Sequence, residues 1–212
     1  MALKLSVLTA AKMADQAYKP RGGKIAGYRI IATHKGHATA YMLSGRILVI
    51  RGSDSAADYI RYNLRVLGLF RSRLTIKGKP GQAAQWHQGF LVHVAEIEAW
   101  LRSIKQHPKF IVGHSLGAAS AQVLSHGWKV PAIGFAAPRV CRQRGIVGQS
   151  KRCLLINRTD DIVPQIPEGF QHIGKIYPIN MGRVNGHKHK MRHYRSKLPS
   201  EIMAGRVPRQ WP

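Results

Sequence analysis

The chain has 212 residues, room for one ordinary domain spanning 1–212 and hardly for two. Its composition, 44% hydrophobic with 21 Gly and 11 Pro, excludes a fibrous or wholly disordered chain, and two cysteines exclude a disulfide-dense scaffold. Lys and Arg number 34 against 9 Asp and Glu, a net charge of +25 that concerns partners and solubility rather than fold.

Residues 6–18 set Val7, Leu8, Ala11, Ala14 and Tyr18 along one side of a helix, which Pro20 and Gly22-Gly23 stop. The apolar patch before Lys12 and Asp15 is too short for a secretory signal, so the segment reads as an amphipathic first helix and the protein as cytoplasmic or released by lysis. Three strand-like runs follow at 28–34, 37–43 and 46–51. Lys35-Gly36 and Ser44-Gly45 separate them, which predicts an antiparallel meander with His34 and His37 at the surface of its first hairpin. Residues 54–69 are helix-like but charged, and 70–86 form a basic stretch with Gly78, Pro80 and Gly81, read as a loop. Phe90, Val94, Ile97, Leu101 and Ile104 then repeat at steps of 4, 3, 4 and 3, a helix that Pro108 ends.

From there the rhythm changes. Residues 110–112 read as a buried strand, 115–125 as helix, 130–136 as strand, 140–149 as helix and turn, and 153–157 as strand. That alternation implies an α/β protein whose parallel sheet is covered on both faces. Cys141 and Cys153 sit among apolar residues and read as free, packed thiols. The longest charge-free run, 110–128, contains His114, Ser115, Ser120, Gln122 and three glycines, a poor membrane span.

The strand at 110–112 runs into Gly113-His114-Ser115-Leu116-Gly117, and a helix follows. G-x-S-x-G between strand and helix exposes a serine hydroxyl at the tip of a strained turn, and the flanking glycines let strand and helix approach. The helix start favours negative charge beside Ser115, and Leu116 N–H is placed to donate to a tetrahedral oxyanion. A nucleophilic serine needs a base and an orienting acid, in the chain order Ser, acid, His. After Ser115 the acids are Asp160, Asp161, Glu168 and Glu201, and the end of the strand at 154–157 points to Asp160 or Asp161. The histidines beyond are His172, His187, His189 and His193, and spacing does not choose among the last three.

These segments resemble the class 3 lipases, the α/β-hydrolase group that includes the triacylglycerol lipases of filamentous fungi. ILVIRGSDSAADYIRYN at 47–63 is similar to the family's strand, R-G-[ST] oxyanion turn and D-W-x-x-N helix. WHQGFL at 86–91, IGFAAPRV at 133–140, INRTDDIVPQIP at 156–167 and HKMRHY at 189–194 resemble further family segments in order. The resemblance implies an α/β-hydrolase with a mostly parallel central sheet, helices on both faces and an N-terminal antiparallel meander. It selects Asp161 as the acid and His189 as the base, adds Ser53 to Leu116 in the oxyanion hole, and suggests a lid at 55–67. Tyr59, Ala118 and Ala136 depart from the family's Trp, Gly and Gly.

His87 and His114 neighbour this site and read as supporting or packing residues. No Cys/His cluster has zinc spacing, no phosphate loop or dinucleotide fingerprint is present, and the chemistry needs no metal or cofactor. Residues 186–193 hold three histidines, but among Lys and Arg rather than acids, which argues against a metal site. Arg61, Arg65, Arg71, Arg73, Lys77 and Lys79 form one acid-free basic run, and Arg183, Lys188, Lys190, Arg192, Arg195 and Lys197 another. On the implied fold both flank the site, which suggests an anionic membrane surface as partner. No specific nucleic-acid recognition is expected, since no recognition fold or interleaved aromatics accompany the charge. The expectation is a monomeric serine ester hydrolase acting on lipids. The alternative is a catalytically silent lipase-like module that binds membrane or nucleic acid.

Overall fold

The computed structural model describes residues 3–53, 86–142, 151–180, 182 and 188–212. In chain order the elements are β1 (Leu5–Ser6), α1 (Val7–Gln16), β2 (Lys24–Ile25), β3 (Tyr28–Lys35), β4 (Thr39–Leu43), β5 (Ile47–Arg51), α2 (Gln88–Ser103), β6 (Phe110–His114), α3 (Leu116–Trp128), β7 (Ala132–Phe135), β8 (Cys153–Arg158), a 3-10 turn at Val163–Gln165, β9 (Lys175–Ile179), α4 (Met191–Met203) and β10 (Gln210–Trp211).

Strands β2 to β9 form one sheet in sequence order. The pairs from β2 to β5 are antiparallel, closed by short turns, and those from β5 to β9 are parallel. The inner parallel strands, β5 to β8, read as largely apolar runs because both of their faces are covered. In β5, Leu48 and Ile50 face one cluster while Ile47 and Val49 face the other, and none of the four exceeds 1% exposure.

Strands from β5 onward add in one direction, so right-handed crossovers carry their helices to the same face. Accordingly α2 and α3 pack one side of the sheet. The other side is left to α1 and α4, which lie against each other with Arg195 bonded to Asp15 at 2.6 Å. β1 pairs with β10, and Trp211 Nε1–H donates to the Arg152 carbonyl at 2.7 Å, so the two ends of the chain close over that face.

Several expectations need correction. His37 is exposed, but His34 is half-buried, with its Nε2 2.6 Å from Glu96 and its ring stacked on Trp100. The described part of 140–149 is extended, not helical: Cys141 bridges to Trp86 and to Gln171, which ties the loop after β7 to two neighbours. Residues 143–150, the helix expected at 54–69, the loop expected at 70–86 except Trp86, and the suggested lid at 55–67 lie outside the described residues. Strand β9 and helix α4 escape a periodicity reading. β9 is a mostly exposed edge containing Lys175 and Pro178, and the stripe of α4, Met191, Tyr194, Leu198 and Glu201, is thin and crossed by basic residues.

Both cysteines are buried thiols that are not joined in a disulfide. Ala118 and Ala136 are accommodated differently. Gly134 leaves room for the Ala118 methyl, which lies 3.2 Å from where a Gly134 Cβ would stand. Ala136 itself takes a left-handed φ of 50°, the conformation that favours glycine.

Candidate active site

The turn between β6 and α3 holds Ser115 at φ 56° and ψ −125°, a region that L-residues rarely enter. The approach around it is close enough to require glycine. A Cβ on Gly113 would run into the Gly117 carbonyl, and one on Gly117 into the Ile50 carbonyl. The strained residue is held from both sides: Ser115 N–H donates to Phe135 O at 2.9 Å, and Ser115 O accepts from Ala118 N–H at 2.8 Å.

Three side chains from distant parts of the sequence meet there. His189 Nε2 lies 2.8 Å from Ser115 Oγ, and His189 Nδ1 lies 2.8 Å from Asp161 Oδ2. A carboxylate accepts, so Nδ1 carries the proton and Nε2 is left to accept the serine O–H. Asp161 is 2% exposed but well supplied with donors. Tyr194 O–H donates to Oδ2 at 2.8 Å and Val163 N–H to Oδ1 at 3.0 Å. Burial alone would push the Asp161 carboxyl up; the hydrogen bonds from His189, Tyr194 and Val163 overcome it and hold the group below its ordinary 3.8.

Asp160 points elsewhere. The Arg158 guanidinium, with no side-chain exposure, forks onto its two oxygens at 2.9 and 2.8 Å, and Lys188 Nζ stands 3.8 Å away. The Arg158 bonds, outweighing burial, lower the Asp160 carboxyl. Neighbouring acids are thus divided between a guanidinium and an imidazole. Of the other histidines considered, His172 donates to the Ala137 carbonyl and His193 sits beside Arg192, while His187 lies outside the described residues.

Ser53 follows Gly52, which abuts the turn at Ser115: a Cβ at position 52 would stand 2.8 Å from Ser115 Cβ and 2.7 Å from Tyr18 Oη. Ser53 Oγ is buried and has no hydrogen-bond partner among the described residues. Leu116 is the first residue of α3, where backbone N–H groups lack intrahelical acceptors. Sequence alone assigns no role to Tyr194 or Tyr18. Tyr194 lies in the segment that resembles the family's end, a findable signal. Tyr18 reaches the site from 96 residues away through His114, with no local signal at all.

No family model matches the chain, and no curated protein matches it. Solved structures do match. The Lip2 lipase of Yarrowia lipolytica superposes with a TM-score of 0.61 at 14% identity, over 79% of this chain and 77% of that one. The Rhizomucor miehei triacylglyceride lipase gives 0.58 at 22%, over 81% and 78%. A triacylglycerol lipase from Penicillium expansum gives 0.56 at 17%, over 82% and 78%. This is an α/β-hydrolase fold. In that α/β-hydrolase framework Ser115 sits at the strand-to-helix turn after the strand β6, Asp161 follows the end of β8, and His189 lies two residues before the start of α4. Among the described residues no group of three His, Cys, Asp or Glu could hold a metal ion, and no helix is long and apolar enough to cross a membrane.

Proposed function

We propose that the chain is a single-domain serine hydrolase of carboxylic esters, acting on lipids through an acyl-enzyme. The observation that carries this reading is the continuous Ser115–His189–Asp161 hydrogen-bond chain, with 2.8 Å at each link, built on a strained strand-to-helix turn. Ser115 Oγ attacks the ester carbonyl as its proton passes to His189 Nε2. The imidazolium is stabilised by the buried Asp161 carboxylate, then gives that proton to the leaving alcohol. Water attacks the acyl-enzyme with His189 again as base, releasing the acid and restoring Ser115. The oxyanion is held by Leu116 N–H and by Ser53, whose buried hydroxyl has no hydrogen-bond partner among the described residues. Lipid as the substrate class rests on the likeness to fungal lipases in fold.

The test is a hydrolysis panel of a short nitrophenyl ester, a triglyceride and an anionic phospholipid, with Ser115→Ala alongside. The variant should lose at least about three decades of turnover while its circular dichroism is unchanged. Turnover in Ser115→Ala above a tenth of wild type rejects the nucleophile. A wild-type protein that turns over none of the panel but binds vesicles or nucleic acid is a silent binding module instead.

A further inference from the structure

The base of a triad must be held in place as well as polarised. His189 sits at the end of a loop and is fastened from behind by a group outside the triad. His114 Nε2 lies 3.1 Å from the His189 carbonyl oxygen, and Tyr18 Oη lies 2.7 Å from His114 Nδ1. The two imidazoles lie tilted against each other with centroids 5.0 Å apart, and the Tyr194 ring stands edge-on to His114 at 6.3 Å.

The hydrogen positions follow from chemistry. A carbonyl only accepts, so His114 Nε2 carries a proton and donates. Burial, with the neighbouring His189, pushes the His114 imidazole down to about 3, so the ring is neutral at ordinary pH. A neutral ring with Nε2–H has a bare Nδ1, and the Tyr18 O–H must be the donor to it. Tyr18, two residues past α1, thus selects the one tautomer of His114 that can grip the loop carrying His189.

We propose that His114 is a positioning residue for His189: its Nε2–H, selected by Tyr18, anchors the His189 carbonyl so that the base stays within reach of both Ser115 and Asp161. The proposal rests on the hydrolase reading, and its consequence is specific. A displacement of about 1 Å in a reacting group can cost on the order of a hundredfold in rate without weakening substrate binding.

Two side chains separate positioning from mere packing. Gln at 114 sets an amide N–H near the place of Nε2, whereas Asn reaches only the place of Nδ1. On a soluble short-chain ester, His114→Asn should lower kcat about 10- to 100-fold with KM within about twofold, and His114→Gln should recover kcat to within about threefold of wild type. Tyr18→Phe, the mildest change, should lower kcat about 3- to 10-fold. Equal losses in Asn and Gln, or full activity in His114→Asn, overturn the proposal. Ring-nitrogen NMR of the wild-type protein gives a readout independent of turnover. It should show His114 with Nε2 protonated and Nδ1 bare from pH 6 to 8, and an Nδ1–H tautomer overturns the positioning role. If the wild type lacks esterase activity, the hydrolase reading fails and the NMR spectrum still decides the anchor.

Discussion

Asp160 and Asp161 are adjacent, chemically identical, and committed to different work. Asp161 accepts from His189, Tyr194 and Val163, while Asp160 neutralises a guanidinium that has no exposure of its own. Substituting each therefore disturbs a different observable. On the proposed mechanism Asp161→Asn removes the charge that orients and stabilises the imidazolium, and it should lower kcat by about three to four decades. Asp160→Asn should keep kcat within about tenfold but, by leaving buried Arg158 short of its counter-charge, lower unfolding stability by on the order of 3 kcal/mol. Ester kinetics and urea unfolding on the same two preparations check both. Equal kinetic losses would mean that the loop after β8 is wrongly assigned.

At the scale of elements, the strand ends that converge on Ser115 are held in unusual backbone. β7 ends where Ala136 takes φ 50°, and its N–H donates to Ile156 O at 3.1 Å, so the conformation is set by neighbouring strand β8. A left-handed L-residue costs roughly 1–2 kcal/mol. Glycine would relieve that, but it loses a buried methyl worth about 0.8 kcal/mol and adds unfolded-chain entropy of about 0.5–1 kcal/mol. Ala136→Gly should therefore move unfolding stability by less than about 1 kcal/mol. Ala136→Val sets a β-branched side chain at a positive φ in a full core and should cost more than about 2 kcal/mol. Urea midpoints of the two variants test this, and a neutral valine would show that the turn relaxes freely.

At the scale of the molecule, buried histidines set the response to acid. Burial pushes His87, His93 and His172 down to about 4, and His114 down to about 3, from an ordinary 6.5. Between those values the unfolded chain binds protons that the native state refuses, so stability is present above about pH 6.5 and is lost as pH falls toward 4. From pH 7.5 to 5.5 each histidine withdraws up to about 1.4 kcal/mol, together about 5 kcal/mol, a large share of a typical domain's stability. The lowered carboxyls of Asp161 and Glu96 add further loss as pH drops below their ordinary range. Urea unfolding at the two pH values should show this drop, and a flat profile would contradict the buried neutral rings. Charge is the other molecular property. The acids Asp15, Asp160 and Glu201 already pair with Arg195, Lys188 and Arg158, and Lys197 and Arg206, so the +25 is not cancelled locally. Lys188, Lys190 and Arg192 stay exposed around His189. The proposed lipid hydrolysis should thus be faster on anionic than on neutral vesicles, with the advantage shrinking from about 0.05 to 0.5 M salt and little salt effect on soluble esters. Equal rates on both vesicles at low salt would reduce the charge to a solvated face.

Where the structural consequence is local, amino-acid order is enough to fix it. Apolar runs marked β5, β6, β7 and β8, helical spacing marked α1 and α2, and G-x-S-x-G marked the turn at Ser115, because each signal lies within a few residues of its structural consequence. The pairing of Asp161 with His189 was legible only through resemblance, since spacing left two acids and three histidines open. Tertiary structure alone decided that β9 and α4 complete the sheet and its second face, that His34 turns in to Glu96, and that Arg158 claims Asp160. It also decided that Tyr18 and His114 stand behind His189. These contacts join residues far apart in the chain, or are formed by polar side chains whose burial no hydrophobic period announces, so their partners exist only once the sheet has brought its strand ends together.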